Sequence, residues 1–304
     1  MINDPTALQS QAREDFNRAK NRANLSTLLN RFASERRELL SFDDVRELIG
    51  PRGESYKGMQ VVPISLIVGS EGRYRDFTGA FLPKRESSRH RWESIDRAHL
   101  NYENLPAIQL FEIGGVYFVR DGNHRVSVAR TQGVDQIDAE VVSLASAIPL
   151  VPGMSRAELK HSVIDYEKRN VTKKIDFGPN IDLDEIEFTA TGRFAELVKH
   201  IEVHKYFINQ DKEEEISFVE AAESWYRNLY KPIIDLISLG KLARKFPGRT
   251  KADLYMWMIR HWDEMKRVHG DTYPLEHAVI DYSTRFGDDI WRRVRSMFRR
   301  KRQT

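Results

Sequence analysis

Cysteine is absent from all 304 residues, which excludes disulfides, thiolate zinc sites and thiol catalysis. Long apolar runs are missing too. The longest, residues 61–69, contains Pro63 and falls well short of the roughly 20 apolar residues a membrane-crossing helix needs. The opening Met1-Ile2-Asn3-Asp4-Pro5 lacks the basic-then-apolar layout of a secretory leader. These absences lead to the expectation of a soluble, cytoplasmic protein without a membrane span. Acidic residues are missing from one stretch in particular: residues 291–304 hold seven Arg and Lys and no Asp or Glu. The whole chain is only +3, so the remainder stands at −4, a mildly acidic body with a basic tail. Such a tail, through Arg292, Arg293, Arg299 and Arg300, suits the phosphate backbone of DNA, and it equally suits a solvated helix end.

What is present reads as helix, then mixed strand and helix, then helix again. Leu8, Ala12, Phe16, Ala19 and Ala23 recur at three- and four-residue steps and predict a helix over residues 6–40. Ser41-Phe42-Asp43-Asp44 starts a second helix that stops at Gly50-Pro51. The β-branched residues 61–68 predict one strand, and an Arg-rich stretch, residues 73–97, predicts a long loop with a short helix near residues 92–100. Two short strands, residues 107–113 and 116–120, flank Gly114-Gly115 as a hairpin. A helix through Val126 and Ala129 to Gly133 and a strand over residues 137–144 follow. Beyond Pro152, Ser155, Gly192, Ser217 and Thr250 each open a helix. The fold class expected is α+β, divided into an N-terminal helical arm (1–57), a mixed-sheet core (58–150), a helical domain (151–290) and the basic tail (291–304).

The chemistry concentrates in Asp121-Gly122-Asn123-His124-Arg125, at a strand-to-helix junction. The first turn of a helix leaves backbone N–H groups unpaired, and the helix dipole puts partial positive charge there, so an anion such as phosphate is a natural occupant. Gly122 allows close backbone approach and a positive φ. Asn123 or Asp121 can cap the helix, and Arg125 offers a fork suited to phosphate oxygens. His124 can donate a hydrogen bond or move a proton, and Asp121 can accept a hydroxyl proton or hold a divalent metal. The same residues also fit a plain Asp-Gly turn with a His-Arg pair closing onto a neighbouring carboxylate.

Residues 105–142 resemble the core of the ParB/sulfiredoxin superfamily: a proline-led strand, a hairpin, a glycine-led polar motif opening a helix, and a closing strand. Asp121, Gly122, His124 and Arg125 match the Asp-Gly-x-His-Arg form found in ParB-like proteins and in free-serine kinases of this fold. The strand over residues 62–68 with Gly72-Arg73 is similar to the family's opening strand and Pro-Arg element, with Gly72 in place of the proline. The similarity spans roughly residues 58–145. Sulfiredoxin chemistry needs a cysteine where this chain has Asn123, so that activity is excluded. The resemblance implies a nucleoside triphosphate, CTP or ATP with Mg²⁺, cradled by Gly122, Asn123, His124 and Arg125, with Arg73 and Arg75 on the opposite side. It implies a nucleotide-dependent regulator, DNA-associated through the tail and capable of homodimerising, with slow triphosphate hydrolysis as a reset. The alternatives are a small-molecule phosphotransferase using Asp121, His124 or Asp76 as base, and a metal-dependent nuclease.

Two other patterns have plainer readings beside the functional ones. His200 and His204 stand four apart on a predicted helix, as metal ligands do, but no third ligand is evident and a structural pair is the simpler expectation. Residues 242–262 have the cadence of a helix-turn-helix with Arg249 and Lys251 leading the second helix, yet Leu254, Tyr255, Trp257, Met258 and Ile259 make it apolar enough to be buried.

Overall fold

The computed structural model describes residues 4–32, 38–210, 212–239, 242–270, 272–274 and 277. The basic stretch with Arg292, Arg293, Arg299 and Arg300 lies outside them. The fold is α+β, and the chain divides into two units, Met1–Val163 and Ile164–Thr304. No helix among the described residues is long and apolar enough to cross a membrane.

The first unit holds one mixed sheet built from β1 (Leu40–Ser41), β2 (Glu54–Pro63), β3 (Ile67–Ser70), β4 (Ile108–Ile113), β5 (Val116–Asp121) and β6 (Gln136–Leu144). Their order across the sheet is β1-β3-β5-β4-β6-β2. β1 with β3, β3 with β5 and β4 with β6 run parallel; β4 with β5 and β2 with β6 run antiparallel. The β4–β5 hairpin turns on Gly114 and Gly115, both at positive φ (62° and 89°), the geometry of a tight two-residue turn. Helices α1 (Pro5–Phe32), α2 (Phe42–Ile49), α3 (Arg89–Leu100) and α4 (Asn123–Thr131) belong to this unit, and α5 (Arg156–Lys174) runs across the boundary.

Three local readings are corrected. Residues 61–68 form not one strand but the end of β2, a 3-10 turn over Ile64–Leu66 and the start of β3. Pro63 has no N–H for a ladder, the Ile67 N–H closes the turn onto the Ile64 carbonyl, and the guanidinium of Arg130 on α4 donates to the carbonyls of Ile64 (2.8 Å) and Ile67 (2.7 Å). The helix predicted over 6–40 is α1, assigned as far as Phe32; Leu40 already opens β1. The helix expected near residues 92–100 starts earlier, at Arg89.

The core lies between sheet and helices. Ile108, Leu110, Val119, Val126 and Ala139 pack with Phe77 and Phe81 from the segment after β3. Each of these side chains larger than alanine contributes about 1.5–3 kcal/mol by leaving water. On α1, Ala12, Phe16, Ala19 and Ala23 are buried as their spacing predicts, and Phe16 meets Trp92 edge-on at 5.6 Å.

The second unit is helical among the described residues: α6 (Arg193–Asn209), α7 (Phe218–Trp225), a π-helical turn (Tyr226–Tyr230), α8 (Lys231–Leu239), α9 (Leu242–Lys245) and α10 (Lys251–His269). Full capping boxes start α7 (Ser217 with Glu220) and α10 (Thr250 with Asp253). α10 buries Leu254, Tyr255, Met256, Met258 and Ile259, and Arg249 is engaged by Thr189 at 2.8 Å, so the buried-helix reading of this stretch holds. His200 sits 3.4 Å from the Tyr255 hydroxyl and His204 3.1 Å from that of Ser224, the contacts of a structural pair.

Candidate phosphate-binding site

β3 and β5 run parallel side by side, so the loop leaving β3 and the start of α4 leaving β5 emerge at the same end of the sheet. Crevices beyond the carboxyl ends of parallel strands are where open α/β sheets hold ligands. The loop is pinned there: Glu71 N–H donates to the carbonyl of Val119 (2.9 Å) and the Ser70 hydroxyl donates to the same carbonyl (3.1 Å). A cavity of about 330 Å³ opens between them, walled by Glu71, Gly72 and Arg73, by Arg91 and Ile95 of α3, and by residues 120–125.

Gly122 is the N-cap of α4, at φ 107°. A β-carbon there would lie 2.4 Å from Ile108 Cγ2, so the position demands glycine on two counts. Because glycine has no side chain to cap with, the first turn of α4 keeps its N–H groups for the cavity. The next two residues are buried polar groups with an unmet need. Asn123 is 6% exposed and His124 5%, and Asn123 Oδ1 and His124 Nδ1 have no partner among the described residues. With Oδ1 sealed, the Asn123 amide nitrogen is the atom left for the cavity, and for His124 it is Nε2. Burial pushes the His124 imidazole down to about 4, helped by the charges of Arg91 and Arg73 and opposed by Asp76. The ring is neutral at pH 7. Nδ1 is sealed, so the ring meets the cavity through Nε2, which is a donor in the tautomer that carries the proton there. His124 thus offers a hydrogen-bond donor, and it is a poor proton acceptor.

The arginines divide into two roles. Arg125 lines the cavity, but its guanidinium is committed: it donates to the carbonyls of Pro106 and Ala107 (2.9 Å to the latter) and to the Asp121 carboxylate (2.6 Å). It braces the entry to β4 and holds Asp121. Arg73 and Arg91 are exposed, and among the described residues neither has a carboxylate within ion-pairing distance. Both wall the same cavity as His124. Arg120 lies over the Phe111 ring at 5.4 Å. Arg75 sits over Tyr74 and Asp76 pairs with Arg85 at 3.1 Å; neither walls the cavity.

Sequence reasoning brought Asp121, Gly122, Asn123, His124, Arg125 and Arg73 to one place, and the structure groups all six. It missed Arg91. The signal available was its i, i+4 relation to Ile95 on a helix whose Trp92, fully buried, donates its indole N–H to Ser127 of α4 (2.9 Å). That bond docks α3 against α4 and delivers Arg91 to the cavity.

No family model matches the chain, and no curated protein matches it. Among solved structures it is similar to a Pnob8-like ParB-N domain, at 12% identity and a TM-score of 0.21, over 62% of this chain and 86% of that one.

Proposed function

We propose that the first unit binds a nucleoside triphosphate by its phosphates and that the chain is a nucleotide-dependent regulator. The observation that carries this reading is the convergence of two arginines, Arg73 and Arg91, without carboxylate partners among the described residues, on a helix N-terminus capped by glycine. Cations held together repel one another, and a polyphosphate relieves that repulsion while filling the open N–H groups of α4. Asn123 and His124 add neutral donors. Glu71 is the cavity carboxylate with no cation beside it among the described residues, which suits it to the Mg²⁺ that a triphosphate carries. CTP and ATP are the expected nucleotides. Binding is favoured over phosphoryl transfer because Asp121 and Asp76 are each tied to an arginine and His124 is a weak base. The seven cations of residues 291–304 supply the contact to DNA phosphates in this reading.

The test is calorimetric titration of the full chain with ATP, ADP, CTP and GTP in the presence of Mg²⁺, for wild type and for Arg73→Ala/Arg91→Ala. One triphosphate is expected to bind, and the double variant to lose at least about 100-fold in affinity with its thermal transition unmoved. Wild-type affinity in the double variant, or no binding of any nucleotide, would overturn the reading.

A further inference from the structure

A second buried polar cluster lies where α1, α3 and α4 meet, among Phe16, Ala19, Trp92 and Val128. Asp96 of α3 is fully buried and Asp15 of α1 is 2% exposed. The two carboxyls converge on a single side chain. One amide serves both: Gln132, at the end of α4, donates Nε2 to Asp96 Oδ1 (2.7 Å) and to Asp15 Oδ2 (3.2 Å). From α1, Gln11 donates to Asp15 (3.2 Å) and Arg18 pairs with Asp15. The charged groups acting on Asp96 are therefore Asp15 and Arg18 from α1, and from α4 it meets only a neutral amide. Asp96 Oδ2 is sealed with no donor among the described residues.

Two carboxylates sealed together are mutually repulsive and offer only acceptors. A proton on one of them turns the clash into a hydrogen bond and gives the buried pair a donor. Asp15 has an arginine partner, whereas Asp96 Oδ2 has no donor among the described residues, so Asp96 is the group that holds it.

We infer that Asp15 and Asp96 form a proton-binding site, and that the shared proton holds α1 against α3 and α4. Each opening of the joint releases that proton to solvent, and each closing takes one back. Burial, then the neighbouring Asp15 charge, carry the Asp96 carboxyl up to about 6, against a lowering by Gln132 and Arg18. A carboxyl whose folded value is raised binds the proton more tightly when docked than when open. Docking is thus strongest in acid and weakens as pH climbs from the ordinary Asp range through about 6. This site is separate from the phosphate cavity, and its test needs no nucleotide.

Hydrogen exchange of the full chain, corrected for intrinsic rates, reads the opening of residues 5–32 and 89–100 at pH 5 and pH 7.5. Asp96→Asn keeps the shape, supplies a permanent amide donor toward Asp15 and cannot titrate. The ratio of protection in the variant to protection in wild type is expected to rise about tenfold between the two pH values. His124 titrates in both proteins and cancels from the ratio. Asp15→Asn, which removes the neighbouring charge and puts an amide donor opposite Asp96 but leaves it buried, is expected to show a smaller rise in the same direction and stands in if Asp96→Asn does not fold. A ratio independent of pH in both variants, or one that falls, would overturn the inference.

Discussion

Gly122 and Ile108 are packed so closely that a β-carbon on residue 122 would come within 2.4 Å of Ile108 Cγ2. The backbone of the candidate site therefore rests directly on a fully buried side chain of β4, with nothing between ligand-facing loop and core. The site and the sheet share one set of contacts, so some of its residues are better tested by stability than by binding.

Gly122→Ala is the sharpest case. Alanine meets both the positive φ and the contact with Ile108, and neither relaxes without moving β4 or α4. A loss of about 2–4 kcal/mol is expected, read from the urea dependence of hydrogen exchange in β4 and α4. An unchanged midpoint would mean that the turn has room the structure does not show.

Arg125 and the pair Arg73 and Arg91 should separate stability from binding. Arg125→Ala strips the carbonyls of Pro106 and Ala107 of their charged donor and frees Asp121, a cost of about 2–3 kcal/mol in stability. Arg73→Ala and Arg91→Ala remove exposed groups that have no partner among the described residues, and should stay within about 0.5 kcal/mol of wild type. Each should weaken triphosphate binding roughly tenfold and flatten its dependence on salt. Thermal melts beside titrations at two ionic strengths check both halves.

This division marks where the sequence stops being informative. The hairpin at Gly114-Gly115, the glycine-led start of α4 and the capping boxes at Ser217 and Thr250 were legible because a few adjacent residues determine them. Arg125 was legible as an anion-seeking fork, but two backbone carbonyls satisfy a guanidinium as well as phosphate does, and only the folded chain selects between them. Arg91 reaches the cavity through the docking of Trp92 on Ser127, a relation between residues 35 positions apart. The start of β2 escaped for another reason. As an edge strand with residues 54–57 exposed, it buries no alternating face for a pattern to reveal. The π-helical turn at Tyr226–Tyr230 left the apolar spacing of residues 219–233 readable as one helix.

In the second unit, Trp225 is fully buried and donates its indole N–H to the Tyr255 hydroxyl at 2.9 Å, joining α7 to α10. Tyr255→Phe leaves that N–H sealed without an acceptor, and should cost about 1–3 kcal/mol, seen as faster exchange across α7 and α10. Adding Trp225→Phe removes the stranded donor. The double variant should then lose less than the two single losses combined, a coupling a double-mutant cycle would measure.

His124 gives the last prediction, and its sign is opposite to that of Asp96. Its imidazole is held down to about 4 in the folded protein, by burial first and then by Arg91 and Arg73, against about 6.5 in an unfolded chain. The unfolded state therefore takes up a proton between those values while the folded state does not. Stability is complete above about pH 6.5 and is lost as pH falls toward 4, by on the order of 3 kcal/mol at the acid end. His124→Gln removes the titration. Unfolding free energies from pH 7.5 to pH 4.5 should show the variant at a disadvantage at pH 7.5 that shrinks steadily and vanishes or reverses in acid. A constant gap would mean that the imidazole is hydrated enough to titrate normally. Ligand adds a second reading: a polyphosphate beside Arg73 and Arg91 cancels the field that depresses the ring. Its nuclear magnetic resonance titration should then move upward when nucleotide is present, and an unmoved midpoint with nucleotide bound would place that ligand away from α4.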